Sequence, residues 1–119
     1  MHESRENYLE TIFILNKRNG RVRAIDIAKE LSFSKPSVSR AIGLLKSSGY
    51  LDVLEDGSII LNEIGLKKAQ SIYERHQVLT SFCIEILGVS PDIAEKDACK
   101  MEHIISDELF DAIKKFINS

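Results

Sequence analysis

One dipeptide narrows the folds open to this chain more than any other. Asp56-Gly57 sits between two short apolar runs in Y-L-D-V-L-E-D-G-S-I-I-L, residues 50–61. Asp-Gly favours the positive backbone angles of a tight hairpin turn, and each flanking run suits one short strand. Elsewhere the apolar residues recur at helical spacing. Tyr8, Leu9, Ile12, Phe13 and Leu15 mark one face of a helix over residues 4–18, stopped by Asn19-Gly20. A two-turn helix follows in A-I-D-I-A-K-E-L, with Ile25, Ala28 and Leu31 one or two turns apart, and an S-F-S turn ends it. In S-K-P-S-V-S-R-A-I-G-L-L-K-S-S-G, Ser34 suits an N-cap and Pro36 fits only a first helical turn. Val38, Ile42 and Leu45 form the inward stripe there, and Gly49 is placed to stop the helix. Beyond the hairpin, Asn62 caps a long helix over residues 63–87, broken by Gly88 and the S-P-D stretch at 90–92. Two further helices are predicted over Ile93–Ile105 and Asp107–Ile117.

The predicted fold is therefore mainly α: three helices, one hairpin, three more helices. Two helices joined by a tight turn and followed by a hairpin describe a winged helix-turn-helix, whose second helix enters the DNA major groove by its N-terminal end. That end is Ser34, Lys35, Pro36, Ser37, Ser39 and Arg40. Hydroxyls, a helix N-terminus and a guanidinium all suit phosphate oxygens, and the guanidinium also suits base edges. Capping alone would equally explain Ser34 and Pro36; the order of elements favours DNA. Charge agrees, since residues 1–50 carry nine Lys/Arg against five Asp/Glu, whereas residues 51–119 carry seven against thirteen. The wing tip E-D-G-S is acidic, so the wing is expected to contribute packing, with Ser58 as its one candidate DNA contact. Domain organisation is read as a winged helix-turn-helix over residues 1–62 and a helical domain over residues 63–119.

A second pattern lies in D-A-C-K-M-E-H, residues 97–103, where Cys99, Glu102 and His103 stand at i, i+3 and i+4. On a helix these share one face. A thiol, a carboxylate and an imidazole together could ligate a metal, or they could be a buried cysteine beside an ordinary charged surface. Asn7 and Glu10, one turn apart on the first helix, and His76 on the long helix are further candidate donors. Glu10 could equally be a solvated charge, and His76 a satisfied, partly buried histidine.

E-N-Y-L-E-T-I, the winged helix, E-R-H-Q-V-L-T-S-F and D-A-C-K-M-E-H-I-I-S-D-E, in that order along almost the whole chain, resemble the iron- and manganese-dependent repressors of the diphtheria toxin repressor family. The resemblance implies that Cys99, Glu102 and His103 match the primary ligands of the iron branch, while Glu10 and His76 match the additional ligands of the manganese branch. Asn7 falls where that family carries Met or Asp, and brings an uncharged amide oxygen. Thr80 falls at a carboxylate position of the iron branch's ancillary site, and Glu95, one turn before Cys99, is a candidate replacement for a histidine ligand of that site. Iron-branch relatives often continue into an SH3-like domain, so a chain ending at Ser119 is expected to be nearer the compact manganese branch. A thiolate favours Fe(II), Co(II), Ni(II) or Zn(II) over Mn(II); the expected ion is Fe(II), with Mn(II) close behind, and Zn(II), Co(II) or Ni(II) are expected to bind in vitro.

The expected activity is metal-dependent repression through double-stranded operator DNA. It implies a homodimer closed by C-terminal helices, with Phe82, Ile86, Leu87, Ile104, Ile105, Leu109, Phe110, Ile113 and Phe116 available for the core or the partner. Iron- or manganese-uptake genes are the targets the family implies. The competing reading is a metal-independent winged-helix regulator with Cys99 as a redox-sensing thiol. Enzymatic function is not expected, because no nucleophile elbow or phosphate loop is present. No apolar run approaches the ~18 residues of a membrane span, and M-H-E-S-R-E-N-Y lacks an apolar signal core, so a cytoplasmic location is expected.

Overall fold

The computed structural model describes residues 3–119. Its helices are α1 (Glu3–Asn19), α2 (Ala24–Leu31), α3 (Lys35–Ser47), α4 (Glu63–Ser81), α5 (Pro91–Met101) and α6 (Asp107–Ile117), with strands β1 (Leu51–Val53) and β2 (Ile59–Leu61) between α3 and α4. Two compact units divide between Gln70 and Ser71, inside α4. The first turns of α4 stay with the winged helix-turn-helix because of how that helix begins. Asn62 Oδ1 accepts from the Gly65 amide at 2.8 Å while its Nδ2 donates to the Gly49 carbonyl at 2.6 Å, so one side chain caps α4 and ties it to the end of α3. Gly65 is buried against the Tyr50 carbonyl, where any Cβ would fall on the oxygen.

In the first unit, Leu9 and Ile12 of α1, Ile27 of α2, Val38 and Leu45 of α3 and Leu51 of β1 are almost fully buried. The turn between α2 and α3 passes through Ser32 at φ 57°, and Ser34 caps α3 by accepting from the Ser37 amide at 3.3 Å. The hairpin pairs Leu51 with Leu61 and Val53 with Ile59, and Gly57 takes the positive φ of its turn. Ile59 also donates to the Val22 carbonyl at 2.7 Å, so Arg21-Val22-Arg23 runs alongside β2.

Of the apolar residues of α2, Ile27 and Ala28 are buried and Ile25 is exposed, as α2 packs against α1 and α3. Ser58, expected as a wing contact, is buried, and its amide donates to Asp56 Oδ1 at 2.9 Å.

The second unit packs Val78, Leu79 and Phe82 against Ala98 and Met101 of α5 and Ile113 and Ile117 of α6, with Ile105 from the turn between them. The long helix continues past Ser81, but as a π-helical turn over Phe82–Ile86 in which Leu87 donates to the Phe82 carbonyl. The helix predicted over Ile93–Ile105 is shorter at its C-terminal end. It stops at Met101, whose carbonyl accepts from both the Ile104 and Ile105 amides at 3.1 Å, closing a tight turn. Ser106 then adopts extended backbone and caps α6 by accepting from the Leu109 amide. Of the candidate partner-covering residues, Phe110 and Ile113 are buried in their own chain, whereas Ile86, Leu87, Ile104, Leu109 and Phe116 are exposed. Phe82, Ile86, Ala112, Ile113 and Phe116 line an apolar groove of about 240 Å³. Among the described residues, no helix is long and apolar enough to cross a membrane.

Gly65→Ala is expected to destabilise the first unit by about 1–3 kcal/mol through overpacking against the Tyr50 carbonyl, seen as a lower urea midpoint of the full chain.

Candidate functional site

His76 is brought inward by the buried face of α4 that also carries Ile72 and Leu79. Thr80, one turn on, donates its hydroxyl to the His76 carbonyl at 2.7 Å. From the other side, α5 supplies Cys99 and, at its C-cap, Glu102. His76 Nδ1 lies 2.9 Å from Glu102 Oε2, and His103 Nε2 lies 3.3 Å from Glu102 Oε1. One imidazole nitrogen, the thiol sulfur and a carboxylate oxygen of His76, Cys99 and Glu102 all lie within 4.8 Å of one another.

The burial is graded. Glu102 is 1% exposed, the His103 and His76 side chains 3% and 20%, and Cys99 opens to solvent. Donors around one transition-metal ion stand no more than about twice the ~2.0–2.3 Å bond length apart, so this set needs only small side-chain movements to close on a common ion. An imidazole, a thiolate and a carboxylate form a mixed set suited to Fe(II), Co(II), Ni(II) or Zn(II), with Mn(II) tolerated through the oxygen and nitrogen donors.

The helical-face argument places Glu102 correctly, since its amide still bonds to the Ala98 carbonyl at 2.9 Å. His103 lies beyond the helix, in the tightened turn where its amide reaches back to Lys100 at 3.4 Å. Glu10 and Asn7 lie on α1 in the first unit, Glu10 buried and Asn7 half-buried. Glu95 is exposed.

Ser34, Lys35, Pro36, Ser37, Ser39 and Arg40 are all exposed at the N-terminal end of α3. The acidic wing tip is compensated within its own unit. Asp56 Oδ2 stands 3.5 Å from Arg21 and 3.9 Å from Arg23. The Ser58 backbone N–H first, then the Ser58 side chain and the two arginines, hold the Asp56 carboxyl below the usual carboxylate range.

Sequence reasoning missed Arg75. Its signal was present: with the buried Ile72 and Leu79 it stands at i, i+3 and i+7, on the inward face of α4 beside His76.

Residues 1–59 match the family model described as the iron-dependent repressor N-terminal DNA-binding domain, and residues 62–119 the one described as its metal-binding and dimerisation domain. The transcriptional regulator MntR of Escherichia coli O157:H7 is 37% identical over 111 residues, which are 93% of this chain and 71% of that protein. A helix-turn-helix-type transcriptional regulator of Methanocaldococcus jannaschii is 33% identical over 98% of this chain and 94% of its own length. Among solved structures, the manganese regulator SloR superposes with a TM-score of 0.85 at 27% identity, covering 99% of this chain. This chain spans 55% of the SloR chain, about half its length.

The two cysteines are unequal, Cys99 exposed and Cys83 buried in the π-helical turn. A colourless-to-coloured thiol reagent should titrate Cys99 alone in the native protein and Cys83 only after unfolding; Cys99→Ser should leave the native protein unreactive.

Proposed function

This chain belongs to the diphtheria toxin repressor family of metal-dependent transcriptional regulators, and from that premise we propose that it represses transcription by binding operator DNA as a homodimer when loaded with Fe(II) or Mn(II). The observation that carries this reading is the convergence of His76, Cys99 and Glu102 donors within 4.8 Å beside the buried His103. These four residues would hold the ion in the helical domain, residues 63–119. Glu10, a carboxylate buried on α1, and Asn7, one turn earlier, are proposed as the ligands that the DNA-binding domain, residues 1–62, contributes. A bound divalent ion would supply the positive charge that allows several acidic donors to share one site.

The residues then act as follows. His76, Cys99, Glu102 and His103 set the ligand field of the helical domain. Engagement of Glu10 favours the arrangement of the DNA-binding domain that fits an operator. Only the difference in affinity between the two arrangements drives the switch, and such coupling is typically about 1–3 kcal/mol. Ser34, Lys35, Ser37, Ser39 and Arg40, with Pro36 setting the first turn, present the start of α3 to the major groove. A dimer would place two such helices ~34 Å apart, one duplex turn. Its contact is assigned to the C-terminal unit, where Ile86, Leu109 and Phe116 are exposed beside the apolar groove. The thiolate favours Fe(II), whereas the manganese regulators among the relatives favour Mn(II). Iron- or manganese-uptake genes, in the cytoplasm, are the proposed targets. The exposure of Cys99 supports a second reading, in which oxidation of the thiol rather than loss of metal releases DNA.

A duplex enriched from a random pool by the Mn(II)-loaded protein provides the probe. Its binding is followed by fluorescence anisotropy at one fixed salt concentration, with chelator, with anaerobic Fe(II), with Mn(II) and with Zn(II). Fe(II) or Mn(II) should raise affinity about 5–150-fold over chelator. Glu102→Ala should keep the chelator-state affinity and a native circular dichroism spectrum while losing that rise. Equal binding by the wild type with and without metal overturns the proposal; release by oxidant in metal-free protein would support the thiol reading.

A further inference from the structure

The Arg75 guanidinium lies in the second unit with 13% of its side chain exposed, and it meets three consecutive parts of the chain. Its Nη1 donates to the Glu102 carbonyl at 3.3 Å and to the Ile105 carbonyl at 2.9 Å. Its Nη2 donates to the Asp107 carboxylate, and the group sits 5.2 Å from the centre of the Phe110 ring. Thus one cation on α4 holds the end of α5, the turn after it and the start of α6.

The carbonyls it holds are the informative part. The Asp107 side chain is 93% exposed, so that ion pair is screened by water and contributes little. The last carbonyls of a helix lack backbone donors and carry the negative end of the helix dipole, which favours a cation there. Were α5 to continue, the Glu102 carbonyl would accept from the Ser106 amide. Instead, Ser106 turns to extended backbone at ψ 159° and caps α6, and Arg75 supplies donors to the carbonyls at 102 and 105. The turn so fixed begins with Glu102 and His103, and Arg75 is the residue immediately before His76. One turn of α4 therefore presents a donor and also anchors the backbone of two others.

We propose that Arg75 is a positioning residue of the metal centre: by holding the Glu102 and Ile105 carbonyls it presets the Glu102 and His103 side chains against His76 before an ion arrives. This rests on the metal-binding reading above. The guanidinium touches no ligand atom that a metal needs; it acts through the backbone that carries two of them. An outer partner of this kind raises affinity because it removes part of the cost of ordering the donors on binding. A lysine cannot replace it fully, since one ammonium on a flexible stem cannot span two carbonyls and a carboxylate in fixed register.

The test compares wild type, R75K and R75Q, with Co(II) as the probe. In metal-free protein, amide hydrogen exchange should quicken over residues 102–107 in R75Q while the first unit keeps its protection. At a temperature well below melting, R75Q should bind Co(II) about 10–100-fold more weakly, with an altered ligand-field spectrum and weaker thiolate-to-cobalt absorption. R75K should fall between R75Q and wild type. A purely structural role would lower the melting temperature and leave the affinity and spectrum of the folded protein unchanged, and that result overturns the proposal. Should R75Q fail to fold, R75K decides, and an affinity equal to wild type overturns it. Wild type that takes up no stoichiometric Co(II) would remove the metal centre itself and this proposal with it; wild-type uptake matched by both variants removes only the role of Arg75.

Discussion

A carboxylate at a buried helix C-terminus is the constraint on which the second unit depends. Glu102 is 1% exposed and occupies the C-cap of α5. Both facts oppose a negative charge there. Desolvation costs several kcal/mol per ion even after relaxation, and the helix dipole presents its own partial negative charge at that end. The surroundings answer with groups that are cationic or can become so: His76 at 2.9 Å, His103 at 3.3 Å, and the Arg75 guanidinium on the adjoining carbonyls. A site built this way has little reason to exist as packing alone, since an apolar residue of similar volume would fill the space without desolvating a charge. It makes sense as a place prepared for a cation.

The first unit is organised around a different economy, that of keeping one helix end exposed and rigid. Val38, Ile42 and Leu45 bury one face of α3, so the residues from Ser34 to Arg40 that are not on that stripe must face water. Ser34 and Ser37 satisfy one another at 2.9 Å, which fixes the cap while leaving Lys35, Ser39 and Arg40 uncommitted to that contact. The wing contributes electrostatic balance: Asp56 draws on Arg21 and Arg23 beside the hairpin, so an acidic tip carries less net repulsion toward a polyanion than its sequence suggests. Asn62 and Gly65 then lock the start of α4 to the end of α3 and to Tyr50, and the same helix carries His76 some three turns later.

Much of this was legible in the sequence because local chemistry decided it. Pro36 and Ser34 could only begin a helix, Asp56-Gly57 could only turn a hairpin, and the spacing of Cys99 and Glu102 survives because α5 hydrogen bonding persists to Glu102. What stayed hidden was decided by neighbours distant in sequence. Ile104 and Ile105 extend the apolar pattern of α5 with no glycine or proline to stop it, yet the helix ends at Met101, and Arg75 takes the Glu102 carbonyl that another turn would have used. Ile25 and Ile27 are equal in hydrophobicity, and only the packing of α2 against α1 and α3 decides that the second is buried. Ser58 reads as a surface hydroxyl because nothing local says that β2 folds it inward. The burial of Glu10 was likewise unreadable: a carboxylate beside Leu9 has the same sequence signature whether solvated or enclosed.

The gradient from buried Glu102 to exposed Cys99 links the two functional readings more closely than their names suggest. The donors that are hardest to reach, Glu102 and His103, are held by the turn after α5, while the donor nearest solvent is the one most easily oxidised. A thiolate bound to metal is shielded from oxidant to the extent that the ion occupies it, and a thiol already oxidised to the sulfenic acid is a poorer ligand. Oxidation and metal loss would then oppose DNA binding through the same residue, and oxidant release measured with metal present cannot separate a redox sensor from a metal sensor with a vulnerable ligand. The two diverge only in metal-free protein. There a metal switch is already off and oxidant has nothing to release, whereas a thiol switch still holds DNA until Cys99 is oxidised.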